Sequence, residues 1–182
     1  KPSVELTRFI FPSVDKPFLG ETYTLENISE RPVTVYIPDY SQSFRTLAEK
    51  GVDGVYVIRA DLKGTGTFVL EPGETVRFGA CFQAYKASGK PIDPDLDAEY
   101  AARRALVGSW DSSLVLDTPD DVIDREFRFA KIRASESIYK TKGGFMHGPG
   151  GESYYAAIWA NDQAEYINPF FPFLGYGVGN ES

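Results

Sequence analysis

Thr67 to Tyr85 reads TFVLEPGETVRFGACFQAY. Two β-rich runs flank Glu71-Pro72-Gly73-Glu74. Proline presets φ in such a turn, and glycine is free to take φ > 0. Thr75 to Tyr85 then alternates apolar and polar side chains, the mark of a strand with one face buried. The stretch therefore predicts strand, tight turn, strand.

The same grammar extends toward the N-terminus. Val55 to Leu62 is a further β-rich run, set off from Thr67 by Gly64 and Gly66. Glu21 to Ile28 and Val33 to Ile37 are joined by the polar turn Ser29-Glu30-Arg31-Pro32, and together they read as a hairpin. Val4 to Phe9 alternates with period two. Ser43 to Lys50 is the one short helical candidate in this half. Six or more strands at close spacing predict an antiparallel β-sandwich over residues 1–90.

The pattern changes at Pro91. Asp93 offers an N-cap and Pro94 a first helical position. Leu96, Tyr100, Arg103 and Val107 share one helical face, with Gly108 as the stop. Ser113 to Leu116 reads as a closing strand, so residues 91–118 form a linker. Thr118-Pro119-Asp120-Asp121 then starts a second helix: Thr118 can cap it, and both aspartates oppose the positive end of the helix. Ile123, Phe127, Ala130, Ala134 and Ile138 give that helix one apolar face to about Tyr139. Gly143-Gly144 ends it. Residues 119–182 cannot bury themselves with one amphipathic helix and one aromatic-rich segment, so this helix needs a partner surface.

The net charge of −7 argues against nucleic acid or anionic lipid as partner. No apolar run reaches the roughly 18 residues of a membrane span. Cys81 is the only cysteine and lies in an apolar run, which suits a buried structural thiol and excludes an internal disulfide. Asp93, Asp95 and Asp97 lack the glycine and glutamate of a calcium loop, so neither metal nor cofactor is expected. The chain opens on Lys1 and closes on Asn180-Glu181-Ser182, which reads as a piece of a longer polypeptide. Its compartment is open, with periplasmic or secreted placement favoured.

Gly143 to Tyr176 mixes aromatics, turn glycines and short acids and amides. Flat rings match the faces of a polar ring-shaped ligand, and acids and amides match its hydroxyls. Trp159-Ala160-Asn161-Asp162-Gln163-Ala164-Glu165-Tyr166 is the sharpest part. Asn161 can cap a helix starting at Asp162, bringing Asp162 and Glu165 together at i, i+3. Amides at the helix start would keep Asp162 ionised, a hydroxyl acceptor beside Trp159. In the other reading Asp162 only caps and Glu165 is only solvated. Gly143 to Gly151 is a loop by composition. It carries His147, the only histidine, as a loop contact near a ligand; no nucleophile accompanies it, so no triad is supported. Tyr155 and the rings of Asn168 to Phe173 are stiff, and most of those rings suit core packing.

The succession of a long β-sandwich, a linker helix, a TPDD-started helix, a glycine-rich loop and Tyr154 to Tyr166, YYAAIWANDQAEY, resembles bacterial six-hairpin glycosidases. In that group an N-terminal β-sandwich precedes an (α/α)6 catalytic barrel. The resemblance implies a mainly β fold followed by linker helices and the first element of an incomplete barrel. It implies an O-glycoside hydrolase whose substrate is an oligo- or polysaccharide. A W-x-x-D element lines the −1 sugar subsite in the group, and Trp159 and Asp162 fall on it; Asn161 stands where arginine is common. Tyr155, Asn161, Gln163, Glu165 and His147 would complete the sugar-binding wall. Glycoside hydrolysis needs two carboxyls across the scissile bond, roughly 5 to 9.5 Å apart. In the group they come from later barrel helices, so the catalytic residues are unassigned, and the partner of this wall is the remainder of its own catalytic domain. Two other readings stand beside this one: a non-catalytic carbohydrate-binding sandwich module, and a protein-interaction module.

Overall fold

The computed structural model describes residues 3–50, 53–141, 143–148, 159–161, 164–165 and 168–174. The chain forms two compact units, residues 1–104 and 105–182, each described by itself below. The fold is mainly β and is built on a five-stranded antiparallel sheet.

The first unit contains β1 (Val4–Pro12), β2 (Phe18–Asn27), β3 (Val33–Ile37), β4 (Ser41–Arg45), β5 (Tyr56–Lys63), β6 (Gly66–Leu70) and β7 (Thr75–Lys86). The large sheet has the order β1-β2-β7-β5-β4, and β3 pairs with β6 in a separate ladder. The predicted turn between β6 and β7 is present: Glu74 N–H donates to the Glu71 carbonyl at 2.9 Å, and Gly73 has φ of 81°. Period two sorts β7 onto two faces. Val76 and Phe78 join Leu25, Val35, Ile37, Phe68 and Leu70 in a core shared with the β3–β6 ladder. Cys81 joins Phe11, Phe18 and Leu96 in a second core, with Tyr100 packed against it. Cys81 is thus a buried packing residue, and burial pushes its thiol pKa up.

Leu96 opens helix α1 (Leu96–Ser112). Its methyl lies over Gly79, where any Cβ would also come within 2.9 Å of the Glu21 carbonyl oxygen. The first turn of α1 is tied to the β1–β2 connection. Ser13 donates to the Glu99 carboxylate at 2.7 Å, and the Lys16 ammonium donates to its other oxygen. Lys16 first, then Ser13, hold the Glu99 carboxyl below the ordinary glutamate range.

Several expectations need correction. Glu21–Ile28 and Val33–Ile37 are not a hairpin: β2 pairs with β1 and β7, and β3 pairs with β6. Asn27 explains the crossover. Its buried amide donates to the Arg31 and Leu70 carbonyls at 2.8 Å each, and so fastens the turn to the other ladder. Ser43–Lys50 is not helical beyond a 3₁₀ turn at Ala48–Lys50, because Ser41–Arg45 pairs with β5. Asp95, rather than Asp93, caps α1, accepting from Asp97 N–H at 3.0 Å and Ala98 N–H at 3.1 Å. The helix passes through Gly108 to Ser112. A single glycine costs roughly 1 kcal/mol and does not by itself stop a helix. No strand forms at 113–116.

In the second unit α2 (Asp121–Glu136) is capped by Asp120, whose side chain accepts from Val122 N–H at 2.9 Å. Thr118 lies two residues earlier and donates its hydroxyl to Asp124 at 2.9 Å. The helix stops short of Tyr139 because Ile138 and Tyr139 enter a hairpin of β8 (Ile138–Thr141) and β9 (Gly144–His147). Gly144, with φ of 120°, belongs to that hairpin rather than to a helix end. Helix α3 (Phe171–Leu174) follows, with Phe171 fully buried.

Candidate functional site

The tail carries the sequence-derived site. Trp159 is 52% exposed, unlike a ring recruited to a core. The backbone is already helical at 160–161, so Asn161 sits inside the first turn and does not cap a helix starting at Asp162. Asn161 and Glu165 are both exposed. The described part of the tail therefore offers the rings of Trp159 and Phe173, the amides of Asn161 and Asn168, and the Glu165 carboxylate to solvent. Tyr155, Asp162 and Gln163 lie outside the described residues.

His147 occupies a different environment. It is the last residue of β9, paired with Ile138, and is only 5% exposed. Composition suggested a loop, but the short β8–β9 pairing makes the Gly144–His147 stretch strand. Gly148 N–H donates to the Ser137 carbonyl at 2.9 Å and closes the hairpin where α2 ends.

The end of α1 and the face of α2 enclose a cleft of about 400 Å³ that the sequence reading did not single out; Val115, Leu116, Phe127, Arg128 and Lys131 are among its walls. Lys131 is buried, and its ammonium donates to the carbonyls of Trp110 at 3.2 Å, Asp111 at 3.0 Å, and Ser113. These are the carbonyls that a helix C-terminus leaves unpaired, and a cation also suits the negative helix end. Arg128 grips the Asp111 carboxylate through Nε and through Nη2, the latter at 2.5 Å, and holds its pKa below the usual range. Asp124 accepts from Thr118 N–H at 3.1 Å. Both carboxylates are thus occupied by donors within the chain, Asp111 by Arg128 and Asp124 by Thr118. The signal for this cleft was present in the sequence as a lysine on the apolar side of α2, but its partners on another helix were not legible.

Among the described residues no cluster of histidine, cysteine, aspartate and glutamate could hold a metal ion. None of their helices is long and apolar enough to cross a membrane. No protein-family model matches the chain, and no curated protein matches it.

Proposed function

We propose that this chain is the N-terminal portion of a carbohydrate-active glycoside hydrolase of the six-hairpin type, with its tail supplying one wall of a sugar subsite. The observation that carries the reading is Trp159, a half-exposed indole with Asn161 and Glu165 also open to solvent nearby in sequence. An indole stacks on the apolar face of a pyranose, and the neighbouring amide and carboxylates bind its hydroxyls. Asp162, next to Asn161, is the residue to which the family resemblance gives that role.

The finer architecture belongs to the same proposal. Two β ladders sharing the core of Ile37, Leu70 and Val76 suit an antiparallel sandwich. Val122, Ile123 and Phe129 leave α2 with exposed apolar side chains, as the first helix of an incomplete (α/α)6 barrel would have. The acid and base then lie elsewhere in the longer polypeptide.

Titration calorimetry against a panel of neutral and acidic oligosaccharides tests the reading. Binding is expected, and Trp159→Ala and Asp162→Asn should each weaken it about tenfold, the loss of one stacking or one charge-assisted contact. Efficient hydrolysis of an aryl glycoside by this chain alone would refute the placement of the catalytic pair outside it. The exposed Phe129 and Val115 favour a second reading, a protein-interaction surface. In that case no glycan would shift the melting temperature.

A further inference from the structure

The five-stranded sheet carries a second polar constellation, remote in sequence from the tail. Pairing of β4, β5 and β7 sets side chains in rows on the face that also receives Leu96. Ser41 pairs with Asp61 and Asp61 with Cys81; Ser43 with Arg59 and Arg59 with Gln83; Arg45 with Val57 and Val57 with Tyr85. Toward β7 this face is covered. The Gln83 amide is buried and held by Ile92, donating to its carbonyl at 3.0 Å and accepting its N–H at 2.8 Å. Toward β4 it is open, and every residue of β4 is exposed.

Arg59 is the centre of the open part. Its Nε donates to the two oxygens of Asp61 at 2.9 and 2.7 Å. Ser41 stands opposite Asp61 on the edge strand, and Arg59 above all holds the Asp61 carboxyl below the usual aspartate range. The guanidinium is thus oriented before any ligand arrives, which removes part of the ordering cost of binding. About a third of the Arg59 side chain remains exposed. Using Nε for Asp61 leaves terminal amines for a planar oxyanion. Arg45 lies on the same face one strand over, and Lys63 at its end; the carboxylate that Lys63 holds, Asp93, is 93% exposed. In a chain of net charge −7, three cations, Arg45, Arg59 and Lys63, thus share this face and meet two carboxylates there, Asp61 and Asp93. Ser41 and Ser43 add two exposed hydroxyl side chains on one face of the strand, their Cα atoms about 6.6 Å apart.

The geometry points to a binding site for a carboxylated saccharide on the β4–β5–β7 face, with the uronate carboxylate on Arg59 and Arg45 and the ring hydroxyls on Ser41 and Ser43. The choice of a saccharide rests on the proposed function; the choice of an acidic one rests on Arg59 and its neighbours. An acidic peptide would satisfy the cations but would leave the serine row and Tyr85 unused.

Affinity electrophoresis of the full chain in native gels tests this site. The probes are polygalacturonate, a neutral galactan and polyglutamate. Polygalacturonate should retard the chain and neutral galactan should not do so through this face. Arg59→Gln should weaken the polygalacturonate interaction about tenfold, the value of one charge-assisted bidentate contact. Ser43→Asp should do the same by setting a carboxylate opposite Arg59. Ser43 is exposed on an edge strand, so that variant keeps its fold, which circular dichroism checks. Trp159→Ala should leave this retardation unchanged. No retardation of the parent chain, equal retardation by polyglutamate, or retardation indifferent to both variants overturns the site. Loss of saccharide binding in Trp159→Ala alone would also overturn it while leaving the tail reading intact.

Discussion

Replacing Glu99 with glutamine probes how the first turn of α1 is fastened to the sheet. Glu99 is 8% exposed, and its carboxylate accepts from Ser13 at 2.7 Å and from the Lys16 ammonium. Glutamine keeps an acceptor for Ser13 but loses the charge. A charge-assisted hydrogen bond contributes roughly 1.5–3 kcal/mol and a neutral one roughly 0.5–1.5. The Lys16 side chain is 43% exposed, so solvent screening takes the loss to the low end, about 1 kcal/mol. Urea unfolding at pH 7 should show that loss, or a Tm lowered by about 4–8 °C for a unit of this size. The pH dependence gives the sharper check. The Glu99 pKa is depressed in the folded state, so its contribution is complete above the ordinary glutamate value near 4.3 and vanishes as pH falls through the folded value. Parent and variant should therefore converge in stability as pH falls toward about 2. Equal stability at pH 7, or a gap unchanged at low pH, would refute the role given to this carboxylate.

Three substitutions test the packing. Gly79→Ala should cost about 2 kcal/mol in urea unfolding, because its methyl would meet Leu96 and the Glu21 carbonyl. Lys131→Met should destabilise the second unit by about 2–3 kcal/mol, since it leaves the carbonyls of Trp110, Asp111 and Ser113 without their buried donor; Trp110 fluorescence reports that unfolding. Leu114 has φ of 44° just past the end of α1, a left-handed conformation that favours glycine. Leu114→Gly should therefore be more stable than Leu114→Ala by about 1 kcal/mol in thermal melts, both having lost the same side chain.

Strands were legible and their partners were not. Alternation over Thr75–Tyr85 and the Pro72-Gly73 turn predicted β7 and its connection to β6 closely, because period-two burial and turn chemistry are local. The polar turn at Ser29–Pro32 suggested a hairpin just as strongly. There the long-range bond from Asn27 to the Leu70 carbonyl decided the topology, and nothing local to residues 21–37 encodes it. Helix ends failed for a similar reason. Asp93, Asp95, Thr118 and Asp120 are all competent caps by type, and tertiary contacts choose among them. In the tail, Trp159, Asn161 and Glu165 are exposed, which suits a merely solvated segment as well as a sugar-binding wall. His147 was read as loop because glycines surround it, whereas the β8–β9 pairing makes it a buried strand end.

Oxidation of Trp159 by N-bromosuccinimide, followed residue by residue with peptide mass spectrometry, tests the sugar-facing wall most directly. The parent chain is treated with and without saturating oligosaccharides, and Trp110 serves as the internal reference. At least one saccharide should slow oxidation of Trp159 about threefold or more, as two-thirds occupancy requires, while Trp110 is unaffected. A Trp159 that reacts at one rate with every saccharide, or that does not react even without one, would contradict an open aromatic wall.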